Sequence, residues 1–364
     1  MKKVAIVGAG MAGLAAAWGL GRAGSKVVLF EKSRGVSGRA ATRRRHGTLY
    51  DHGANFFRPE DPEIGELVHE VLPTAELVEI PGEVWTFDSS GVVKAGDAAQ
   101  NAVPKYSYRD GIKTLGKLLL SASGAELCSG SRIERLQQGD AGWIPFGTGG
   151  RPLGSFDDIV LTPPAPQAAE LLRSSKMDSF LREQLVEGFR SATYRSQFSF
   201  VLGFTKRVVR PRSVHALVNS DGNHALSWLS FEEDKAGHVP DNESVLIVQM
   251  SPAWTACHYD DPPDLLLPEV VTQVRSLLPE LPSGPDWWDS QRWRYAHPEK
   301  RIELSTARLA EDSGLHFCGD GLVGRGRVSE ALKTGLECAR RVTEAAAGGT
   351  REATAPGYGR IEPD

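Results

Sequence analysis

Apolar positions near the start of the chain follow two periods in turn. Val4 to Val7 is a short, mostly β-branched run, the pattern of a strand covered on both faces. Gly8-Ala9-Gly10-Met11-Ala12-Gly13 follows, and Leu14 to Leu20 then has helical composition, with Gly24 where a helix C-cap sits. Lys26 to Phe30 is a second apolar run, closed by Glu31. Near the other end, Gly314 to Cys318 reads as a strand running into Gly319-Asp320, then a glycine-rich turn and a helix-like stretch from Val328 to Ala339.

The middle of the chain changes character. Ser107 to Ser121 carries Ile112, Leu115, Leu118 and Leu119 on one helical face, Glu126 to Leu136 reads as a strand, and a hairpin is expected around Gly147 to Gly150. Asp157 to Leu161 predicts another strand, with Pro163-Pro164 as its exit. A helix from Met177 to Arg190 then precedes strand-like runs at Phe198 to Phe204, His215 to Val218, Ala225 to Phe231 and Ser244 to Met250, and a helix follows at Leu265 to Leu277. These periods predict an α/β chain with a Rossmann-like domain and a second, mixed-sheet α+β domain. Residues 1–59, 105–166 and 287–348 are expected in the first, 60–104 and 167–286 in the second, and 349–364, polar with Gly and Pro, as a flexible tail.

Strand, glycine turn, helix, strand and acid occur in the order of a βαβ dinucleotide site. Gly8 permits the tight turn, Gly10 lets backbone approach a diphosphate, and Gly13 lets the helix pack on the strand. The helix start, with Met11 and Ala12, offers free N–H groups and a positive dipole end to the phosphates. Glu31 is spaced to accept from ribose hydroxyls.

Composition narrows the remaining classes. With 364 residues, 40% hydrophobic and 24% charged, the chain is long enough for two cores, and disorder is not expected. The formal charge of −4 gives no general attraction for nucleic acid. Lys2 and Lys3 ahead of an apolar stretch mimic a signal peptide, but glycines 8, 10 and 13 break the run. No run of about 20 apolar residues predicts a membrane span. Cys128, Cys257, Cys318 and Cys338 form no CxxC pair and no metal-ligand spacing, so a reduced, cytoplasmic protein without a metal is expected.

Several pieces carry a resemblance. Glu31-Lys32-Ser33-Arg34-Gly35-Val36-Ser37-Gly38-Arg39 resembles the ExxxxxGGR extension of the flavoproteins that include amine oxidases, phytoene desaturases and renalases, with Ser37 in place of one glycine. Asp51-His52-Gly53-Ala54-Asn55-Phe56-Phe57 resembles the DxGA(Q/N) segment that runs along the flavin, and Gly319-Asp320 with the helix start at Val328 resembles the terminal GD motif of that group. With Arg292-Trp293-Arg294-Tyr295-Ala296, these pieces are most similar to the renalase family.

The resemblance implies a p-hydroxybenzoate hydroxylase or amine oxidase-like fold and non-covalent FAD, since neither Cys318 nor Cys338 lies in the context used for covalent attachment. It implies cofactor contacts at Lys32, Gly38, Arg39, Gly53, Ala54, Asn55, Phe56, Ile133, Gly319, Asp320 and Val328. Candidates beside the ring are His52, Asn55, Trp293 and Tyr295, and Trp287 and Trp288 belong to the same aromatic segment, which could be core or cage. The implied reaction is hydride transfer from a small substrate to flavin N5, with O2 as acceptor. The substrate would be an isomeric reduced nicotinamide dinucleotide held by arginines such as Arg292, Arg294, Arg325 and Arg327. Amine oxidation, polyene desaturation and a non-catalytic FAD scaffold are the competing readings. Arg43, Arg44 and Arg45 have no assigned role beyond a basic loop.

Overall fold

The computed structural model of the protein describes residues 1–348; the expected tail at 349–364 lies outside the described residues. Lys3–Val7 sits at the centre of a five-stranded parallel sheet ordered Leu315–Phe317, Asp158–Leu161, Lys3–Val7, Lys26–Glu31, Glu126–Ser129. A parallel sheet must be covered on both faces, and alternate side chains of the first strand serve two separate cores. Val4 and Ile6 pack with the helices Met11–Arg22, Lys113–Ser123 and Val328–Gly348. Ala5 and Val7 pack with Ala165–Arg173 and Ser179–Arg190. The first and last helices meet at glycine: a Cβ on Gly335 would lie 2.2 Å from the Ala12 carbonyl oxygen.

A seven-stranded mixed sheet forms the second body, ordered Trp287–Lys300, Thr193–Phe204, Ser244–Met250, Leu226–Phe231, Val214–Asn219, Glu83–Phe87, Val93–Lys94. One of its faces, with Phe198, Phe200, Leu246 and Val248, is buried under the helices Pro252–His258 and Pro263–Leu277. The opposite face turns toward the parallel sheet and ends in polar residues where it reaches the space between them.

Several boundaries differ from the sequence reading. Glu126 to Leu136 is not one strand: Gly130 takes a φ of +67° and ends Glu126–Ser129, and Ile133–Gly139 pairs with Gly142–Gly147 instead. The hairpin turn therefore falls at residues 140–141, and Thr148–Gly150 is a short 3-10 turn. The helix expected from Ser107 starts at Lys113, because Tyr106–Tyr108 is drawn into pairing with Leu77–Glu79.

The domain limits shift too. Trp287–Lys300 pairs along Thr193–Phe204 in the mixed sheet, while Ile64, Leu67 and Val68, and the helices Ala165–Arg173 and Ser179–Arg190, bury their apolar faces in the cores of the parallel sheet.

A fully buried ionic cluster ties the two bodies together. Lys235 Nζ donates to Asp51 Oδ2 at 3.0 Å and to Glu232 Oε1 at 2.7 Å, and none of the three side chains is exposed. The ring nitrogens of His238 face Glu232 Oε2 at 2.9 Å and the Tyr108 carbonyl at 3.0 Å. Asp51 also accepts from Ser107, Thr42 and the Ile112 amide, so every charged atom has a partner. Asp51, Glu232 and His238 cluster as metal ligands would, but the Lys235 ammonium bonds both carboxylates there.

Candidate active site

Between the two sheets runs a cleft of about 1510 Å³ lined by residues from both ends of the chain. Every position assigned to the cofactor lines it except Gly13. Gly13 works from behind: a Cβ there would come within 2.1 Å of the Gly8 carbonyl oxygen, so its absence lets the helix start close to the strand. Gly8 has a φ of +105°, and a Cβ would lie 2.4 Å from Thr162 Oγ1. Gly10 is the N-cap of Met11–Arg22, has no side-chain cap, and has open space where a Cβ would stand. A bare helix N-terminus thus faces the cleft, the arrangement that receives an anion.

Glu31 is held for its role by the backbone. Its Oε2 accepts from the Ala9 amide and its Oε1 from the Ser33 amide, each at 2.8 Å, leaving a lone pair on each oxygen for a ribose hydroxyl. Ser37 takes a φ of +84°, the left-handed region where a glycine would be at ease. Its hydroxyl donates to the Lys113 carbonyl at 2.9 Å rather than facing a phosphate.

Arg39, one of the implied cofactor contacts, has its guanidinium taken up by the protein. Its Nη2 donates to Asp320 Oδ1 at 2.8 Å, its Nη1 lies 2.7 Å from Asp320 Oδ2, and the same Nη1 meets the Tyr295 and Ala296 carbonyls, both at 2.9 Å. The fork is used by protein acceptors, so Arg39 braces the two terminal motifs against each other at the cleft wall.

The ring-side candidates separate. Asn55, Trp293 and Tyr295 line the cleft; His52 does not. His52 lies behind Trp293, the rings stacked at 5.4 Å and 16°, and its backbone carbonyl accepts from Trp293 Nε1 at 3.1 Å. Burial, helped by the nearby Arg43, pushes its imidazole down to about 4, and its Nδ1 has no partner. His52 is a neutral packing residue and not one that reaches the cleft. Asn55 donates to the Asp51 carbonyl at 2.8 Å and so ties the loop 52–56 to the buried ionic cluster.

The aromatic segment also divides: Trp293 and Tyr295 face the cleft, whereas Trp288 packs in the core of the mixed sheet and Trp287 stacks on His46 at 4.6 Å.

The arginine run is structural. Arg43 bonds Asp289 at 2.8 Å and the Gln291 side chain at 2.5 Å, Arg45 reaches Asp289 at 3.3 Å, and Arg44 is exposed beside Asp110. Tyr50 adds its hydroxyl to Asp289 at 2.6 Å. Arg292, Arg294, Arg325 and Arg327 all line the cleft.

Sequence reasoning missed Arg58, Gln197, Trp228 and Gln249, which also line it. A signal was present for Gln249, a lone polar residue after the apolar run Val245 to Val248, whereas Gln197 follows Arg195 and Ser196 and does not stand out.

Residues 6–71 match the family described as NAD(P)-binding Rossmann-like domain, and residues 82–343 match the family described as Flavin containing amine oxidoreductase. The protein belongs to the flavin containing amine oxidoreductase family. FAD is the cofactor of this family member. It is 40% identical to Protoporphyrinogen oxidase 2, chloroplastic/mitochondrial, of Arabidopsis thaliana over 70 residues, which are 19% of this chain and only 14% of that protein's length.

Among solved structures, one described as "Putative protoporphyrinogen oxidase from Exiguobacterium sp. 255-15" superposes with a TM-score of 0.77 at 13% identity, covering 94% of this chain and 99% of that one. Cyclohexylamine oxidase from Brevibacterium oxydans IH-35A gives 0.73 at 13% identity, covering 95% and 99%. At such identities the likeness is one of fold.

The cleft fits FAD on its own terms. It joins a bare helix N-terminus at Gly10, a presented carboxylate at Glu31, a backbone groove at Gly53 and Ala54, and a second helix start at Val328. No cysteine is among its lining residues.

Proposed function

We propose that this family member is an FAD-dependent oxidase acting on a small reduced ring, in the manner of renalase-like enzymes that oxidise isomeric reduced nicotinamide dinucleotides. In this reading the parallel-sheet body takes the cofactor and the mixed sheet presents the substrate. The observation that carries it is the charge of the mixed-sheet wall. From Gln197, Trp228, Gln249 and residues 291–297 the cleft receives no carboxylate. An ammonium there would meet no counter-ion, whereas a diphosphate would meet Arg325 and Arg327, which also line the cleft; Arg292 is held by the Asp261 carbonyl and Arg294 by the Tyr259 ring. Phe56, Trp228 and Trp293 supply flat apolar walls for a ring and exclude water from it.

FAD, held by the helix start at Gly10, the Glu31 carboxylate and the Gly53–Ala54 backbone, would supply the two-electron sink for a hydride, with O2 as the final acceptor. A dihydropyridine gives up hydride with the help of its own ring nitrogen lone pair, so the chain needs no essential base. Amine oxidation is the second reading, supported by one observation beyond the relatives' names. His297 lines the cleft and is kept neutral by burial and by the positive charges of Arg39 and Arg195, so it could take a proton from an ammonium. All four cysteines are free thiols, which suits a reducing compartment, and we place the reaction in the cytoplasm. None of the helices among the described residues is long and apolar enough to cross a membrane.

Anaerobic mixing of the holoprotein with borohydride-reduced NAD, and separately with a panel of amines, tests this reading. Flavin bleaching by the reduced dinucleotide mixture is expected. Bleaching by amines alone overturns it, and bleaching by neither favours a non-catalytic scaffold.

A further inference from the structure

Three side chains on neighbouring strands of the mixed sheet form a polar group that no cofactor motif accounts for. Gln249 stands directly opposite Trp228 in the antiparallel register and opposite Ser199 on its other side, with Gln197 two residues from Ser199 along the same strand face. Directly opposed side chains start about 5 Å apart and diagonal ones about 7–8 Å, so all three can reach one small group. All three line the cleft.

Their hydrogen-bond directions are set by the backbone. Gln249 Nε2 donates to the Gly53 carbonyl at 3.0 Å, a partner that can only accept, which fixes the amide and leaves Oε1 without a protein donor. Ser227 gives its hydroxyl hydrogen to the carbonyls of Gln249 and Met250, at 3.0 and 3.2 Å, so toward Gln197 Nε2, 3.4 Å away, it can only accept. Gln197 Oε1 is thereby left without a protein donor as well. Trp228 Nε1 has no acceptor and is shut off from the cleft, so the indole contributes its ring and not its N–H. The wall therefore offers two acceptors, neither of them used by the protein.

We propose that Gln197 and Gln249, beside the Trp228 ring, form a subsite for a primary carboxamide. Such a group has two N–H donors for the two glutamine oxygens, the complement of what the wall leaves open. A carboxylate has no N–H and leaves both glutamine oxygens unmet; a methyl ketone has only the carbonyl. The inference rests on the reduced-nicotinamide reading, whose ring carries a primary carboxamide, and it names the part of the wall that selects that ring.

The test uses non-reducing probes, so that it does not depend on turnover. Benzamide, benzoate and acetophenone are titrated into the oxidised holoprotein and followed by the flavin difference spectrum. Benzamide is expected to bind about ten-fold tighter than acetophenone, and Gln197→Met and Gln249→Met are each expected to remove most of that preference while acetophenone affinity stays within about two-fold. Equal binding of benzamide and acetophenone overturns the proposal, as does a preference that survives in the variants. Gln249→Met also loses the bond to Gly53, so if that variant sheds flavin, Gln197→Met decides the matter. Benzamide selectivity without bleaching by reduced dinucleotides would refute the substrate reading and leave the subsite standing.

Discussion

His52 shows how one buried imidazole shapes the molecule's response to acid. An exposed histidine titrates near 6.5, and burial takes this one to about 4, so between those values the unfolded chain binds the proton and the folded one does not. Stability is therefore lost as pH falls from about 6.5 toward 4, by at most about 3 kcal/mol if the whole difference is expressed. His52→Phe keeps a flat ring against Trp293 but cannot titrate. Its melting temperature should fall less steeply over that range than the parent's; identical slopes in melts at stepped pH would remove His52 from the account. The sequence drew attention to the stretch 51–57 but could not say which way each side chain turned. Asn55 and Phe56 face the cleft, whereas His52 is folded behind Trp293 by a partner 241 residues away.

Among elements, the turn from the first strand to the first helix was the most legible, because its requirements are local: a tight bend, close packing and a bare helix end. Its glycines do different work, and substitution should separate them. Gly10→Ala adds a methyl group to open cleft space, so the protein should melt within about 1 kcal/mol of the parent yet bind FAD at least ten-fold more weakly. Gly13→Ala drives its Cβ to within 2.1 Å of a backbone oxygen, so it should lose several degrees of melting temperature even without flavin. Flavin titration and thermal melts on each apoprotein read the two effects; a Gly10→Ala variant with full FAD affinity would break the assignment. Elements set by distant pairing were less legible. Ser107 and Tyr108 read as the start of an amphipathic helix until Tyr106–Tyr108 pairs with Leu77–Glu79, and the segment from 287 reads as part of the cofactor body until Trp287–Lys300 pairs along Thr193–Phe204.

At the scale of the whole molecule, the buried cluster of Asp51, Lys235, Glu232 and His238 fastens the cleft-lining loop after Asp51 to the mixed sheet. Burial alone would discharge both partners, but the attraction of Asp51 and Glu232 raises the Lys235 ammonium, and Lys235 and His238 hold Asp51 below the usual carboxylate range. The Asp51 contribution is complete above its unfolded value of about 3.9 and is lost as pH falls below that. The Lys235 contribution is complete below about 10.4 and is lost as pH climbs through its raised value. Lys235→Met removes the countercharge and strands two buried carboxylates, with an expected cost of about 3–5 kcal/mol in urea unfolding. A loss under 1 kcal/mol would mean the cluster is dispensable. Nothing near Lys235 in the sequence announces this role, since its partners lie up to 184 residues away.

The bond from Arg39 to Asp320 spans 281 positions and has a temporal meaning. On the ribosome, the glycine turn emerges 281 positions before the aspartate that braces it against the far end of the cleft. A product terminated before residue 320 is therefore expected to expose an open half-cleft and to retain no FAD when passed over a desalting column.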